Sequence, residues 1–191
     1  MPDLPFSILF VCTGNICRSA MAERLLVSRL DASARNAVAV TSGGTRAVVG
    51  RPMSSQTRLR LRALGGDPGG FVATQLTEAR IASADLILGM AAEHTDRVLY
   101  LDPGAFARTF LFSEFGRAVE ALGGSPHPGD PARWRRLADQ AMEARRQGLV
   151  PPRDDDDIAD PYARDDAAFD AMARRLVPLV DLLVGRPMVG R

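Results

Sequence analysis

Apolar positions along this chain follow two rhythms. Short runs dense in apolar residues stand at 6–11 (FSILFV), 36–44 (NAVAVTSGG), 85–90 (DLILGM) and 108–112 (RTFLF). These runs are too short for helices and predict strands buried on both faces. Between them the apolar residues recur at helical spacing. Met21, Leu25, Leu26 and Leu30 form one helical face, with Ser19 placed to cap the start. The stretch 54–64 alternates like a strand, but Pro52, Ser54 and Ser55 before it and Gly65 and Gly66 after it favour a helix. Further helices are predicted over 77–84 behind Thr77, 92–100, 113–122, 131–147 between Asp130 and Gly148, and 166–184. Residues 123–130 and 150–157 read as loops.

Strands alternating with helices predict an α/β fold of three layers. Its centre is a four-stranded parallel sheet of order 2-1-3-4, with helices on both faces and right-handed crossovers. No repeat or domain-sized linker interrupts the pattern, so residues 1–191 are expected to form one domain.

Composition narrows the function classes. A formal net charge of +1 argues for neither nucleic acid nor a membrane as partner. All 24 basic residues are arginine, which points to a GC-rich bacterial genome rather than to a function. Two cysteines, Cys12 and Cys17, make no disulfide framework. The start MPDLPF lacks the basic region of a signal peptide, and the apolar run after it is too short to span a membrane. A reducing cytoplasm, where thiols stay free, is the expected setting.

The chemistry gathers where the first strand ends. In VCTGNICRS (11–19), Cys12 closes the strand, a short loop follows, and Arg18 and Ser19 open a helix. The carboxyl edge of a parallel sheet is where open α/β folds bind ligands. Gly14 and Asn15 tolerate left-handed backbone, so the N–H groups of Thr13, Gly14, Asn15, Ile16 and Cys17 can turn inward as an anion nest. The helix adds its positive end. A tetrahedral dianion suits such a nest. Cys12 would lie at its floor, where the N–H groups and Arg18 favour thiolate over thiol. The guanidinium of Arg18 can grip two phosphate oxygens at once. Ser19 can donate to the sulfur and stabilise it as a leaving group. The spacing therefore describes nucleophilic attack on phosphorus; the bland alternative, a small buried apolar Cys12, explains neither Arg18 nor Ser19.

VCTGNICRS resembles the phosphate-binding signature of the low-molecular-weight protein-tyrosine phosphatases, and stands near the N-terminus as in that family. Further stretches match in order: TSGGTRAVVGRPM (41–53), ATQLT (73–77), ADLILGM (84–90) and a late Asp-Pro-Tyr at 160–162. The resemblance implies a cysteinyl-phosphate mechanism without cofactor or metal, acting on a phosphotyrosine protein or a small aryl phosphate. It implies that Asp160 protonates the leaving oxygen and then activates water, and that Asn15 and Ser42 hold the loop in shape. It leaves about 115–157 as an extended helical insertion. There Trp134, Leu137, Ala138, Ala141 and Met142 form an apolar stripe expected to pack near the loop leading to Asp160 and to shape the cleft mouth.

Several positions depart from the family pattern. Phe71 stands where many members have a histidine of the supporting network. Val48 replaces an aromatic residue of the cleft wall, which leaves Tyr162 as the aromatic wall. Ala163 stands where glycine or a second aromatic residue is common, and Ala20 replaces a frequent proline. Cys17 is open to two readings: a reversible disulfide with Cys12, or a small side chain that fits. His94, His127 and the acids Asp154 to Asp157 read as exposed. Arsenate reduction with an external thiol remains an alternative; an internal cysteine relay does not, because no cysteine follows Cys17. Phosphoarginine hydrolysis is a second alternative, although those relatives carry threonine where this chain has Ile16. A phosphoprotein-binding module with a decayed site is the non-enzymatic one, and the presence of Cys12, Arg18 and Asp160 argues against it.

Overall fold

A computed structural model of the chain describes residues 5–122 and 128–185. Four strands, β1 (Phe6–Cys12), β2 (Val38–Gly44), β3 (Leu86–Gly89) and β4 (Thr109–Leu111), form one sheet in the order β2-β1-β3-β4. Every neighbouring pair is parallel, so the order and sense agree with the sequence pattern.

Strand β1 shows why the sheet is buried on both sides. Its even positions, Phe6, Ile8, Phe10 and Cys12, enter the larger core, while Leu9 and Val11 enter the smaller one on the other face. The larger core is covered by α1 (Arg18–Arg29), α3 (Ser55–Ala63), α6 (Phe112–Ala121), α7 (Pro131–Arg146) and α8 (Asp166–Leu183). The smaller one is covered by α4 (Glu78–Ala82), α5 (Ala92–Leu101) and a 3-10 turn at Pro103–Arg108. Both the carboxyl end of β1 and the amino end of α1 thus meet at one edge of the sheet.

The structure differs from the sequence pattern in several places. Residues 32–37 form a short helix, α2 (Ala32–Ala37), because the Asp31 carboxylate accepts the Ala34 N–H at 2.8 Å; the strand therefore starts at Val38 rather than at residue 36. The fourth strand shrinks to three residues because Asp102 caps the 3-10 turn before it and Phe112 already belongs to α6. Ser19 does not cap α1. The cap position falls on Cys17, and the Ser19 hydroxyl is turned to the Cys12 sulfur instead. His127 lies outside the described residues.

The α7 stripe is buried, but not where the sequence suggested. Trp134 is fully buried and stacks on Phe6, at the amino end of β1, with ring centroids 5.8 Å apart. At the other end of α7, Arg145 lies 4.0 Å over the Phe110 ring, pairs with Glu114 and donates to the Thr109 carbonyl at 3.0 Å. Thr109 belongs to the edge strand β4 and Phe6 to the central β1, so α7 packs on the larger core and contributes nothing to the cleft lining.

The return from α7 is anchored rather than solvated. Asp156, read from the sequence as an exposed acid, is buried, pairs with Arg117 and accepts the Arg153 N–H at 2.9 Å. Asp157 accepts the Ala92 N–H at the start of α5 at 2.8 Å. Ile158 N–H donates to the Met90 carbonyl at 2.7 Å, so the chain reaches residue 160 on a fixed course. Burial opposes charge on Asp156, but the hydrogen bonds from Arg117 and Arg153 outweigh it and hold the carboxyl below its usual range. A depressed folded pKa stabilises the fold above the unfolded value of about 3.9 and loses that contribution as pH falls through the folded value. Asp156→Asn should therefore cost about 2 kcal/mol at neutral pH. The deficit relative to wild type should shrink below about pH 4, in thermal melts run across that range. A deficit that does not change with pH would remove Asp156 from that role.

Candidate active site

The loop between β1 and α1 is built with its carbonyls outward. The carbonyls of Cys12, Thr13, Gly14 and Ile16 accept from the N–H groups of Thr45, Arg46, Val48 and Ser54, at 2.8 to 3.0 Å. Each peptide plane sets its N–H opposite its carbonyl, so the N–H groups of Thr13, Gly14, Asn15 and Cys17 are turned to the inside. Asn15 supplies the left-handed turn with φ of 54°, and its N–H points at the Cys12 sulfur at 3.3 Å. Gly44 permits the close approach of the neighbouring segment: a Cβ there would lie 2.5 Å from the Thr13 carbonyl oxygen.

Beneath the loop the hydrogen bonds run in one direction. The Asn15 amide donates to Ser19 Oγ at 2.9 Å and to Ser42 Oγ at 2.7 Å, and its oxygen accepts the Thr74 N–H at 2.8 Å. The Ser42 hydroxyl in turn donates to Glu23 at 2.6 Å. Ser19, already accepting from Asn15, has its proton left for Cys12 Sγ, 2.9 Å away. Burial raises the Glu23 pKa, while Ser42, Arg24 and Arg80 favour its charge. Glu23 is a member of this network that sequence reasoning missed. Its place one turn after Ser19 on the same helix face was the available signal. Phe71 takes no part in it and packs under the Arg24 guanidinium, 5.6 Å from the ring centroid.

Arg18 is the charged wall of the site and is almost wholly buried. Its Nη1 donates to the Ile158 carbonyl at 3.1 Å, and its Nη2 donates to Asp160 at 2.7 Å and to Thr13 Oγ1 at 3.3 Å. Its Nε is buried and, among the described residues, has no hydrogen-bond partner. Asp160 is about 42% exposed, so the pair joins a buried guanidinium to a carboxylate at the cleft rim. Ala163 holds φ of 57°, a left-handed turn that explains why glycine is common at that position.

These groups line a cleft of about 240 Å³, bounded by Cys12, Thr13, Gly14, Ile16, Cys17, Arg18, Arg46, Val48, Asp160 and Tyr162. Asn15, Ser19 and Ser42 lie buried behind it. Val48 and Tyr162 both stand on its wall, Tyr162 largely exposed. Cys17 is buried and its thiol is 3.5 Å from Ser54 Oγ; burial pushes its pKa up despite the Ser54 and Thr57 hydroxyls. That leaves Cys12 as the thiol suited to attack. His94, expected at the surface, is fully buried with Nε2 3.0 Å from Thr13 Oγ1. Its pKa is lowered to about 3 by burial and by Arg18, so the ring is neutral. No cluster of potential metal ligands occurs among the described residues.

Comparison with known proteins agrees with this geometry. The family model described as low molecular weight phosphotyrosine protein phosphatase matches residues 7–151. The low molecular weight protein-tyrosine-phosphatase Etp of Escherichia coli (strain K12) is 37% identical over 116 residues, 60% of this chain and 75% of that one. A protein-arginine-phosphatase of Geobacillus stearothermophilus is 31% identical over 137 residues, 72% of this chain and 89% of that one. Among solved structures, the Erwinia amylovora tyrosine phosphatase AmsI aligns with a TM-score of 0.67 at 27% identity, over 96% of this chain and 94% of that one. The arginine phosphatase YwlE of Geobacillus stearothermophilus aligns at 0.66 and 28%, over 94% and 91%. With the family model covering most of the sheet and the whole cysteine loop, the chain belongs to the low molecular weight phosphotyrosine protein phosphatase family.

Proposed function

We propose that the chain hydrolyses phosphotyrosine, or a small aryl phosphate, through a phosphoryl group carried on Cys12. The observation that carries this reading is the Cys12 sulfur on a loop whose N–H groups turn inward, that of Asn15 to the sulfur itself, with Arg18 lining the same cleft. Backbone donors and a planar fork match the three equatorial oxygens of a phosphoryl group.

The steps follow from the groups present. The incoming dianion takes the inward N–H groups and the Nε and Nη2 side of Arg18, and so displaces Asp160 from Nη2. Asp160, released from Arg18 at the cleft rim, is then free to meet the leaving oxygen as general acid. The Cys12 thiolate attacks phosphorus and the P–O bond to the phenol breaks. The departing oxygen takes the proton from Asp160. Water next attacks the cysteinyl-phosphate, giving its proton to the Asp160 carboxylate, and the sulfur leaves as thiolate with the Ser19 hydroxyl donating to it. Arg18 and the backbone supply the positive field, so no step calls for a metal or cofactor.

The cleft wall of Ile16, Val48 and Tyr162 is apolar and suits an aromatic leaving group. Phosphoarginine is the second reading, favoured by the similarity to a protein-arginine-phosphatase; Ile16 offers a guanidinium no hydrogen bond. Turnover of phosphotyrosine peptide, phosphoarginine and arsenate with a thiol, measured side by side on one preparation, separates the readings. Dominant phosphoarginine turnover would overturn the first. Arg18→Lys tests the grip itself. It should lower kcat/KM by about 10²–10³-fold, because an ammonium cannot make two parallel bonds. Near-full activity would mean that the fork is dispensable.

We also propose one phosphatase domain acting in the cytoplasm, where Cys12 and Cys17 stay reduced. No helix among the described residues is long and apolar enough to cross a membrane. In this reading the segment of about 115–157 serves the larger core and the course of the Asp160 loop, and substrate contacts come from the cleft wall.

A further inference from the structure

Once phosphate displaces Asp160, Arg18 loses its strongest partner. What then holds the guanidinium at the right height is its two remaining bonds, to the Ile158 carbonyl and to the Thr13 hydroxyl. The second of these leads into a side-chain cluster that the mechanism above does not use. Thr13 Oγ1 lies 3.0 Å from His94 Nε2 and 3.2 Å from Glu93 Oε1, and Glu93 Oε1 lies 3.3 Å from His94 Nε2.

The proton positions in this cluster follow from burial. His94 is fully buried and its Nδ1 has no hydrogen-bond partner among the described residues. A buried N–H without an acceptor is costlier than a bare lone pair, so the ring proton belongs on Nε2, where Thr13 and Glu93 can accept it. Thr13 then donates its own proton to Glu93 and accepts from His94 and Arg18. One hydroxyl thus uses its single hydrogen and both lone pairs. It can face Arg18 in only one way, as an acceptor.

We propose that His94 and Glu93 are positioning residues that fix the Thr13 hydroxyl as an acceptor for Arg18, and so keep the phosphate-gripping fork in place when Asp160 departs. The arrangement uses a neutral ring. A cation at His94 would repel Arg18, while an apolar residue would remove the buried bond to Thr13 and leave its hydroxyl oriented only by the exposed contact to Glu93. This inference rests on the phosphatase reading, since it concerns the same arginine.

The test combines turnover with inorganic phosphate binding. Wild type, Thr13→Val, His94→Leu, the double variant, Thr13→Ser and His94→Gln are compared for kcat and KM on 4-nitrophenyl phosphate, for phosphate affinity by calorimetry, and for thermal unfolding. Thr13→Val and His94→Leu should each weaken phosphate binding and lower kcat/KM by about 10- to 100-fold, the loss of one charge-assisted bond. The double variant should be no worse than the worse single variant, because both cut the same chain of bonds. His94→Gln keeps an Nε2–H donor, and Thr13→Ser keeps the hydroxyl. Each should recover to within about threefold of wild type. Losses that multiply in the double variant, unchanged phosphate affinity in a folded Thr13→Val, or a folded His94→Gln as impaired as His94→Leu would overturn the proposal. If His94→Leu does not fold, the Thr13→Val and Thr13→Ser pair together with His94→Gln decides the matter by the same criteria. A wild type that binds phosphate but turns over no phosphoester would instead defeat the phosphatase reading, and phosphate affinity would still judge the positioning chain.

Discussion

Cys12→Ser should abolish turnover while leaving phosphate binding intact. The loop N–H groups are held by outward carbonyls at Cys12, Thr13, Gly14 and Ile16 and owe nothing to the sulfur. Arg18 likewise makes its bonds to Ile158, Thr13 and Asp160 without it. A serine hydroxyl at the same place is ionised far less readily than a thiol, so attack on phosphorus stops. The expected loss in kcat is at least about 10⁴-fold, on the scale of removing the nucleophile of a covalent enzyme. Inorganic phosphate should bind within a few-fold of wild type in calorimetry. Substantial turnover by this variant would take the nucleophile role from Cys12.

Asp160→Asn should change two measurements in opposite directions. Measured as kcat/KM, which reports the steps up to cysteinyl-phosphate, hydrolysis of phenyl phosphate should fall by about 10²–10⁴-fold, the usual share of general acid catalysis. Esters whose leaving groups are acidic need no proton and should lose far less. Phosphate binding, however, should tighten. The carboxylate occupies Arg18 Nη2 at 2.7 Å, so a phosphate must evict it and then sit beside a second negative charge. The neutral amide removes both obstacles. Equal losses across leaving groups, or unchanged phosphate affinity, would count against the role given to Asp160. That residue lies beyond the span matched by the family model, which makes this pair of measurements its principal support.

How far the sequence could be read depended on the range over which each contact acts. The site floor is local: Cys12, Asn15, Arg18 and Ser19 fall within eight residues, and strand, loop and helix signals frame them. The parallel sheet also followed from short buried runs alternating with helices, and the central place of β1 from the site at its end. The failures are long-range. His94 stands in a polar helix start and reads as exposed, yet Thr13, 81 residues earlier, lies over it. Asp156 sits in a run of four acids, and only the partner Arg117, 39 residues away, makes it a buried anchor. Trp134 was legible as packing, but its partner Phe6 lies at the amino end of β1, opposite the end that carries Cys12, so the helix packs on the core instead of shaping the cleft. Ser19 looked like a cap because caps and sulfur donors call for the same hydroxyl; the Asn15 amide decides which of the two it is.

The covalent intermediate is the heart of the mechanism, and it can be seen directly. Asp160→Asn mixed with 4-nitrophenyl phosphate should form cysteinyl-phosphate at a nearly normal rate, because that leaving group needs no acid. It should break the intermediate down slowly, because no carboxylate activates water. Rapid acid quenching followed by peptide mass spectrometry should then find one phosphoryl group on the peptide bearing Cys12, and at Cys12 itself. Continued release of nitrophenol with Cys12 unmodified, or with the phosphoryl group on another residue, would contradict it.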